Sequence, residues 1–538
     1  MHSMSESGKE PENVRPVAPI PVGVPPGAVP EAEAGGLIAG IPDAPAPDDG
    51  ALVGAAAGDV PANGPAGKTV FVPAGTRLAQ FWADLKLAAR GTRHDYTSGP
   101  IGRAIFLLAV PMVLEMVMES VFAVVDVFWV AKLGASAVAT VGLTESMMAI
   151  VYTLAFGLAI GATATVARRT GEKNPDGAAR AAVQALTLGV LVSGALGVLG
   201  AIFAPDLLRL MGATPDVVEH GTLFTRVMLG GSSSAFMLFV INAVFRGAGD
   251  AAIAMRVLWF ANAINIVLGP LLIFGIGPFP EMGVAGAAIA TTIGRGSGVI
   301  FAASRLYRGS GHIAVHREHL KIDFAAMGRL ARMCAVGTFQ IFIGTSAWIG
   351  LIRILAGFGA VAVAGYTIAI RIVIFAILPA FGLSNAAATM VGQSLGARDP
   401  DRAEKSVWTA SRYNLVFLGS LGVLFVVFAP AIIHLFTSDA EVARVAILAL
   451  RIIASGFPFY AFGMTITQSF NGAGDTWTPT WINLFVFWLF EIPVAWLLAN
   501  RTFLEFRGPF LAVTVAYCAL AAVGAMLFRK GRWKAKAV

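Results

Sequence analysis

The sequence predicts an all-α membrane protein with twelve transmembrane helices, in two parallel six-helix lobes related by a pseudo-two-fold axis along the membrane normal. Two observations support this fold class. The chain has 538 residues, of which 57% are hydrophobic and only 13% are charged, whereas soluble domains carry about 25% charged residues. The chain also repeats itself, because Phe-Arg-Gly-Ala-Gly-Asp at 245–250 returns as Phe-Asn-Gly-Ala-Gly-Asp at 470–475, an offset of 225 residues.

The repeat extends well beyond this motif. The same offset aligns other short segments, namely 134–135 with 359–360, 175–176 with 400–401, and 203–205 with 428–430. The glycines of the motif are typical of a tight turn, and we expect Asp250 and Asp475 to cap the helices that follow. A duplicated hydrophobic bundle is the usual architecture of a secondary transporter, with the substrate path between its halves.

Twelve apolar segments are each long enough to cross a hydrocarbon core, which needs about 20 residues of helix. They cover 103–131, 137–166, 180–203, 223–245, 252–277, 283–306, 330–356, 362–391, 407–433, 446–470, 478–500 and 508–528. We therefore predict an N-lobe at 101–306, a cytoplasmic inter-lobe loop at 307–329 and a C-lobe at 330–528. An even number of spans in each repeat gives both lobes the same orientation.

The two ends of the chain differ from the bundle. Residues 1–76 are rich in Pro, Ala and Gly, which predicts a disordered tail. Residues 77–100 are predicted to form an amphipathic cytoplasmic helix that leads into the membrane, because the apolar residues in the first part of this segment recur on one helical face. Residues 529–538 form a basic tail, which we also expect in the cytoplasm.

Charge sets the expected orientation and excludes some function classes. Lys and Arg concentrate in the loops after spans 2, 4, 6 and 8 and in the tail, so the positive-inside rule favours a cytoplasmic-membrane protein with both termini in the cytoplasm. The net charge of +7 arises mainly there and does not indicate nucleic-acid binding. No metal-binding Cys/His spacing or catalytic nucleophile motif is visible, so we expect a non-enzyme without a cofactor.

The first span carries three carboxylates. At 100° per residue, Glu119 lies about 40° and Asp126 about 20° from Glu115 around the helix, so all three share one stripe. A charge inside a span costs roughly 2.5–3.5 kcal/mol on insertion scales, so the stripe should face a hydrated cavity, bind cations or take up protons. A structural polar stripe paired with neighbouring helices is the alternative interpretation.

Other polar residues are weaker candidates. In the first half these are Glu145, interpreted as opening the second span, and Asn265 on the fifth. The second half does not repeat the carboxylate stripe, since Asp126 aligns with Leu351. The polar residues in or near the spans of this half are more basic, and its cavity candidates are Gln340, Arg353, Arg371 and Glu491. Alternatively, an arginine and Glu491 could pair as a structural lock within this half.

The sequence resembles the multidrug and toxic compound extrusion (MATE) family over about residues 100–530. The resemblance is carried by Ala-Val-Pro at 109–111, Val-Val-Asp-Val-Phe at 124–128, Lys-Leu-Gly-Ala at 132–135, Val-Ala-Thr-Val-Gly-Leu at 138–143, Asn-Ile-Val-Leu-Gly-Pro at 265–270 and the two repeated motifs. It implies an efflux antiporter that exchanges H⁺ or Na⁺ for amphipathic, cationic compounds by alternating access. We expect a monomer that interacts with such substrates and with membrane lipids.

The resemblance also implies roles for single residues. Asp126 matches the family's cation-coupling aspartate, Asn265 matches an asparagine beside it, and Thr291 is aligned with a threonine of the same site. A Na⁺ site at Asp126 and Asn265 is therefore one expectation. The family often has an Asp directly before the proline that follows, where this chain has Gly269. We therefore favour proton coupling, with Glu119 supplying the missing carboxylate.

The nearest alternative function is a flippase for a lipid-linked saccharide or another specialised amphiphile. Such a cavity needs cationic side chains to hold a pyrophosphate, and Arg353 and Arg371 leave this possibility open. A channel or a membrane-embedded enzyme is a more distant alternative.

Overall fold

The computed structural model describes residues 74–91, 94–309 and 311–536. The helices of the first half are α1 (Ala74–Arg90), α2 (Ile101–Ala131), α3 (Ala135–Gly171), α4 (Pro175–Leu210), α5 (Pro215–Gly230), α6 (Ser232–Ala248), α7 (Ala251–Phe274) and α8 (Gly283–Tyr307). Those of the second half are α9 (Phe324–Ala356), α10 (Ala360–Gly396), α11 (Pro400–Ile433), α12 (Ala440–Ser455), α13 (Phe457–Gly472), α14 (Trp477–Asn483), α15 (Ile492–Asn500) and α16 (Arg507–Arg529). A π-helix, Leu484–Glu491, joins α14 to α15.

The predicted all-helical fold is confirmed. Within the described residues, eleven helical segments are long and apolar enough to span a membrane, counting α5 with α6 and α14 with α15 as one span each. The number becomes twelve if α12 and α13, which meet at 54°, form a single broken span. Many spans exceed the predicted apolar cores by a turn or more, because the charged ends of the helices continue the same hydrogen-bond ladder.

The helix boundaries confirm the internal repeat. Shifting α3 by 225 residues reproduces the bounds of α10, Ala360–Gly396, without any adjustment. The break between α5 and α6 at Gly231 corresponds in the same way to the break between α12 and α13 at Gly456. The two halves of the chain therefore share one backbone plan, although their side chains differ.

The chain ends of the bundle lie at one face, which we call the terminal face. It contains the segment 94–100, the turns after α3 and α10, the inter-lobe connector and the C-terminal residues 530–536. The opposite end, with the turns that precede α3 and α10, is the far face. This distinction matters because the two lobes pack differently at the two faces.

At the terminal face the lobes meet backbone to backbone. A Cβ atom added at Gly171 would overlap the carbonyl of Gln393, and one added at Gly396 would overlap the carbonyl of Arg168. Across the same contact, Gln393 Nε2 donates to the Gly247 carbonyl at 3.0 Å. We call this contact between the ends of α3, α6 and α10 the seam.

Towards the far face the lobes separate. On α10 nearly every residue from 379 to 396 is buried, whereas Arg371, Ile374 and Phe375 are exposed. On α3 the same change occurs, with Ile150 63% exposed and the stretch from Ala155 to Ala167 largely buried. Glu145 of α3 and Arg371 of α10, both exposed, are within electrostatic reach of each other in this part of the molecule, and we call the space between them, which ends at the seam, the cleft.

The aspartate of each repeated motif makes a polar contact with the segment that follows its lobe. Gly249 and Gly474 adopt left-handed backbone angles (φ 92° and 84°), which only glycine tolerates easily. The expected helix capping by the motif's aspartates is wrong, because neither side chain caps a helix. Asp250 instead accepts from His312 Nδ1 at 2.7 Å, in the inter-lobe connector, and Asp475 pairs with Lys536 at 3.4 Å, in the C-terminal tail.

Three predicted boundaries need correction. The lead-in helix begins at Ala74, inside the predicted tail, and ends at Arg90, so residues 94–100 are not helical. The inter-lobe loop is shorter than predicted, because α9 begins at Phe324 after Asp323 caps its first turn. The basic tail contains a short 3₁₀ turn, Arg532–Ala535. The predicted disorder of residues 1–73 concerns residues outside the described ones.

Polar contacts hold the segment before α2 against both lobes. Lys173, after α3, binds Asp95 at 2.6 Å, and Arg402 of α11 donates to the carbonyls of Tyr96, Ser98 and Gly99. Although burial opposes its charge, hydrogen bonds from Lys173 and Thr97 lower the pKa of Asp95 from 3.8 to about 2.

This shift predicts a small dependence of stability on pH. A carboxylate whose folded pKa is depressed stabilises the fold above its unfolded pKa, and that stability is lost between about pH 4 and pH 2. Because both side chains of the pair are exposed, Asp95→Asn should lower the unfolding free energy at pH 6 by less than about 1 kcal/mol. Thermal melts at pH 6 and pH 2 should show the difference from wild type only at pH 6.

The seam makes a stronger prediction. Gly171→Ala should destabilise the protein by about 1–3 kcal/mol, because a methyl group there must displace backbone of the other lobe. Gly142→Ala, on the same helix, is the matched control, since a Cβ atom there meets nothing within 4 Å. Thermal unfolding in detergent compares the two, and equal melting temperatures would show that the seam is not tightly packed.

Candidate functional site

The three carboxylates of α2 lie on its inward side, against α6, α7 and α8. Glu115 is 1% exposed, Glu119 has a side chain that is 22% exposed, and Asp126 is partly buried. The predicted stripe therefore runs from the seam towards the open cleft. Each carboxylate has a different set of partners.

Glu115 is paired within the first lobe. Arg246 Nη1 of α6 donates to Glu115 Oε1 at 2.7 Å, and Asn242 Nδ2 donates to the same oxygen at 3.0 Å. Both members of the ion pair are buried, at 1% and 6% exposure. Glu115 therefore fits the alternative interpretation of the stripe, in which a carboxylate pairs structurally with neighbouring helices.

Glu119 has an equivalent set of partners one turn further along. Arg295 Nη2 of α8 donates to Glu119 Oε1 at 2.9 Å, and Asn262 Nδ2 of α7 donates to Glu119 Oε2 at 3.2 Å. Carboxylate, arginine and asparagine thus recur as a unit. In both units the arginine and asparagine come from other helices of the same lobe.

Asp126 differs from the other two. It makes no hydrogen bond or ion pair with any residue that the structure describes. It is close enough to Glu145 and Arg295 to interact electrostatically with both. Glu145 in turn interacts with Arg371 of the second lobe. Glu145 is exposed and lies well inside α3, so the expectation that it opens the second span is wrong.

Asn265 and Thr291 lie together, as the resemblance implies. Asn265 Nδ2 donates to Thr291 Oγ1 at 2.8 Å, which links α7 to α8 in the buried part of the lobe. The structure does not place either residue in hydrogen-bond contact with Asp126. Carbonyl and hydroxyl oxygens of this kind could ligate a hard cation.

The repeated motif brings one residue of each lobe to the seam. Arg246 and Asn471 occupy equivalent positions in the two copies, and both line a cavity of about 40 Å³. Asn471 Nδ2 donates to Gln468 Oε1 at 3.0 Å, and Thr389 Oγ1 of α10 donates to the Arg246 carbonyl at 3.1 Å. The buried ion pair of the first lobe therefore borders the second lobe.

The four candidates of the second lobe are dispersed. Gln340 is buried in α9, Arg353 lines a surface groove with Trp488 and Trp496, and only Arg371 is within electrostatic reach of the first lobe's carboxylates. Glu491 is buried near Tyr366, Tyr460 and Tyr517. An Arg–Glu lock involving Glu491 is wrong, since it has no ion pair among the described residues.

Sequence reasoning missed the two arginines that organise the site. Arg246 follows the predicted span 223–245 and is therefore expected in a loop, but it lies inside α6 as the second residue of the repeated motif. Arg295 is absent from the sequence-predicted candidates, although it is the only charged residue between Gly283 and Ser304. A lone cation in an apolar span is itself a signal, because it requires a buried partner.

Two lobes that together hold eleven or twelve apolar spans, with buried carboxylates in one lobe, are typical of a membrane transporter. The family model described as MatE matches residues 111–271 and 339–497, which is more than half of the chain. The chain belongs to the MATE family of multi-pass membrane transporters. The predicted resemblance is thereby confirmed, and a transporter rather than an enzyme is the supported class.

Individual relatives agree with this assignment. The chain is 27% identical to the probable multidrug resistance protein YoeA of Bacillus subtilis, covering 81% of this chain and 95% of that protein. It is 28% identical to an FAD transporter of Shewanella oneidensis, covering 65% and 77% respectively. A solved outward-facing structure of a multidrug resistance MATE transporter superimposes with a TM-score of 0.76 at 26% identity, covering 81% of this chain and 96% of that one.

The buried pair gives a testable consequence. Glu115→Gln should destabilise the protein by about 3–5 kcal/mol, because it leaves the Arg246 charge buried without a carboxylate. The double variant Glu115→Leu/Arg246→Met should recover most of this loss. Glu145→Gln, which removes an exposed carboxylate, is the control and should change stability by less than about 0.5 kcal/mol. Thermal unfolding in detergent measures all three, and a silent Glu115→Gln would contradict the pairing.

Proposed function

We propose that the protein is a proton-coupled antiporter that exports small, amphipathic, cationic organic compounds across the cytoplasmic membrane by alternating access. The observation that carries this proposal is the state of Asp126. It is the one carboxylate of the α2 stripe without an ion pair among the described residues, and it lies at the far-face end of the stripe. An unpaired carboxylate can bind either a proton or a substrate cation, but not both.

Competition for one carboxylate supports exchange. A proton that enters the cleft neutralises Asp126 and weakens its attraction for a cationic substrate, which then leaves. Because Glu115 and Glu119 are already paired with arginines, one negative charge remains available on the stripe. We therefore expect one proton to exchange for one monovalent cation without net charge movement.

The direction of export is supported by charge. Arg168, Arg169, Lys173 and Arg402 lie at the terminal face, which the positive-inside rule assigns to the cytoplasm. The cleft then opens to the outside, and the seam closes the cytoplasmic end. This arrangement corresponds to the substrate-releasing state of an exporter.

Proton coupling is supported over Na⁺ coupling by what surrounds Asp126. The position directly before Pro270, where the family often has Asp, is Gly269. Asn265 and Thr291 bond to each other, and neither forms a hydrogen bond with Asp126 in the structure. Na⁺ needs several oxygen ligands at once, whereas a proton needs one carboxylate.

A transporter of an anionic amphiphile is the second candidate function. Arg371 is exposed and within electrostatic reach of Glu145 across the cleft, and one relative is an FAD transporter. A flippase for a lipid-linked saccharide needs the same kind of cationic contact. The unpaired Asp126 nevertheless favours a cationic substrate.

The first experiment is ethidium efflux from proteoliposomes under separately imposed proton and Na⁺ gradients. Wild type should respond to the proton gradient, and Asp126→Asn should lose gradient-driven efflux, falling at least about tenfold. Asp206→Asn, an exposed carboxylate outside the stripe, is the control. Full efflux by Asp126→Asn would remove Asp126 from the coupling site, and no transport by wild type would shift the proposal to the anionic substrates.

A further inference from the structure

Arg295 is held in an unusual setting for a transmembrane cation. It is 4% exposed, and Nη2 donates to Glu119 Oε1 at 2.9 Å. The guanidinium carbon lies 5.4 Å from the Phe122 ring centroid and 6.0 Å from that of Tyr152. Aromatic rings therefore enclose the charge and hold it over the α2 stripe.

The hydrogen bonds of this guanidinium are incomplete. Arginine carries five N–H donors in a fixed plane, and buried donors in proteins are nearly always paired. The Nε and Nη1 groups of Arg295 are buried and have no acceptor among the described residues. Arg295 therefore has capacity for another acceptor in addition to Glu119.

Asp126 is the unpaired acceptor of the same stripe. It follows Glu119 by seven residues, or two helical turns, with Phe122 between them on the same face. It interacts electrostatically with Arg295 and has no partner of its own among the described residues. A donor without an acceptor and an acceptor without a donor thus lie on one side of α2.

We infer that Arg295 is a positioning residue that Glu119 and Asp126 share, and that it makes the exchange selective for protons. This inference rests on the proposed antiport. When Asp126 is ionised, the free N–H groups of Arg295 bind it. When Asp126 takes up a proton, Arg295 returns to Glu119 alone, which is the arrangement that the structure contains.

The ion selectivity follows from charge. A Na⁺ ion ligated by Asp126 would place a compact second charge next to the guanidinium, and like charges at close range in a poorly hydrated site repel strongly. A bulky organic cation spreads its charge and keeps it further from the guanidinium, so the same repulsion acts on it less. A proton neutralises Asp126 instead and brings no second cation to the site. Arg295 then loses its bond to Asp126 and keeps its bond to Glu119. Arg295 thus occupies the place of a metal cation in the site.

Other charged groups also face Asp126 and must be considered in any pH profile. Glu145 and Tyr152 approach it from α3, and Glu119 lies on its own helix. Arg371 of the second lobe acts on Glu145. Of the groups that the structure describes around Asp126, Arg295 is the one cation that interacts with it directly.

The test uses the full chain in proteoliposomes, with ethidium efflux driven by a proton gradient or by a Na⁺ gradient at several pH values. Arg295→Gln keeps a hydrogen bond to Glu119 but removes the charge. Arg295→Lys keeps the charge as a compact ammonium that cannot serve both carboxylates at once. Arg371→Gln removes a cation from the other side of the cleft and is the matched control. Gel filtration confirms that each variant is folded.

For Arg295→Gln we expect the response to Na⁺ to rise at least about tenfold relative to wild type, with the midpoint of the pH profile moving to higher pH. Arg295→Lys should remain selective for protons but exchange more slowly. Arg371→Gln should keep the selectivity of wild type.

Two results would overturn the inference while leaving the antiport intact. The first is an Arg295→Gln variant with the ion selectivity and pH profile of wild type. The second is Arg371→Gln changing selectivity as much as Arg295→Gln, which would indicate a general effect of cleft charge. Wild type without efflux under either gradient would instead contradict the proposed function itself.

Discussion

The structure depends on one constraint, which is that an ionised carboxylate inside an apolar helix needs a partner. Helix α2 carries three such groups, and two of them are satisfied in the same way. Glu115 and Glu119 each receive one arginine and one asparagine, supplied by α6, α7 and α8. These contacts bind the helices of the first lobe into one unit and leave Asp126 available.

The duplication gives both lobes the same backbone but not the same chemistry. At the offset of 225, Glu115 corresponds to Gln340, Glu119 to Gly344 and Arg295 to Leu520. Helix boundaries depend on apolar length and on turn residues, so they survive these changes. Each set of carboxylate, arginine and asparagine depends on every member being present, so both sets are lost together, and the proposed cation site lies in the first lobe only.

The difference between helix boundaries and side-chain contacts explains which features the sequence could predict. Composition, apolar length and the repeat were sufficient for the fold, because each is a local or periodic property. The stripe was also predictable, since helical spacing alone places Glu115, Glu119 and Asp126 on one face. The partners Arg246 and Arg295 lie more than a hundred residues away, and only tertiary packing brings them to α2. Arg246 lies inside α6 rather than in the loop expected after the predicted span 223–245, because α6 continues one turn beyond its apolar core.

The carboxylates of α2 and their arginine partners belong to one lobe, and this location bears on how the two lobes can move relative to each other. Glu119, Arg295 and Asp126 all belong to the first lobe, so they can move together without breaking their contacts. The seam joins the lobes through glycine contacts and hydrogen bonds to backbone carbonyls, such as that from Gln393 to Gly247. Backbone contacts of this kind release no buried charge when they part, whereas separating a buried ion pair is costly. In the proposed alternating access, the lobes can therefore rock about the seam while the proposed ion site stays assembled, because that site lies within one lobe rather than between the two.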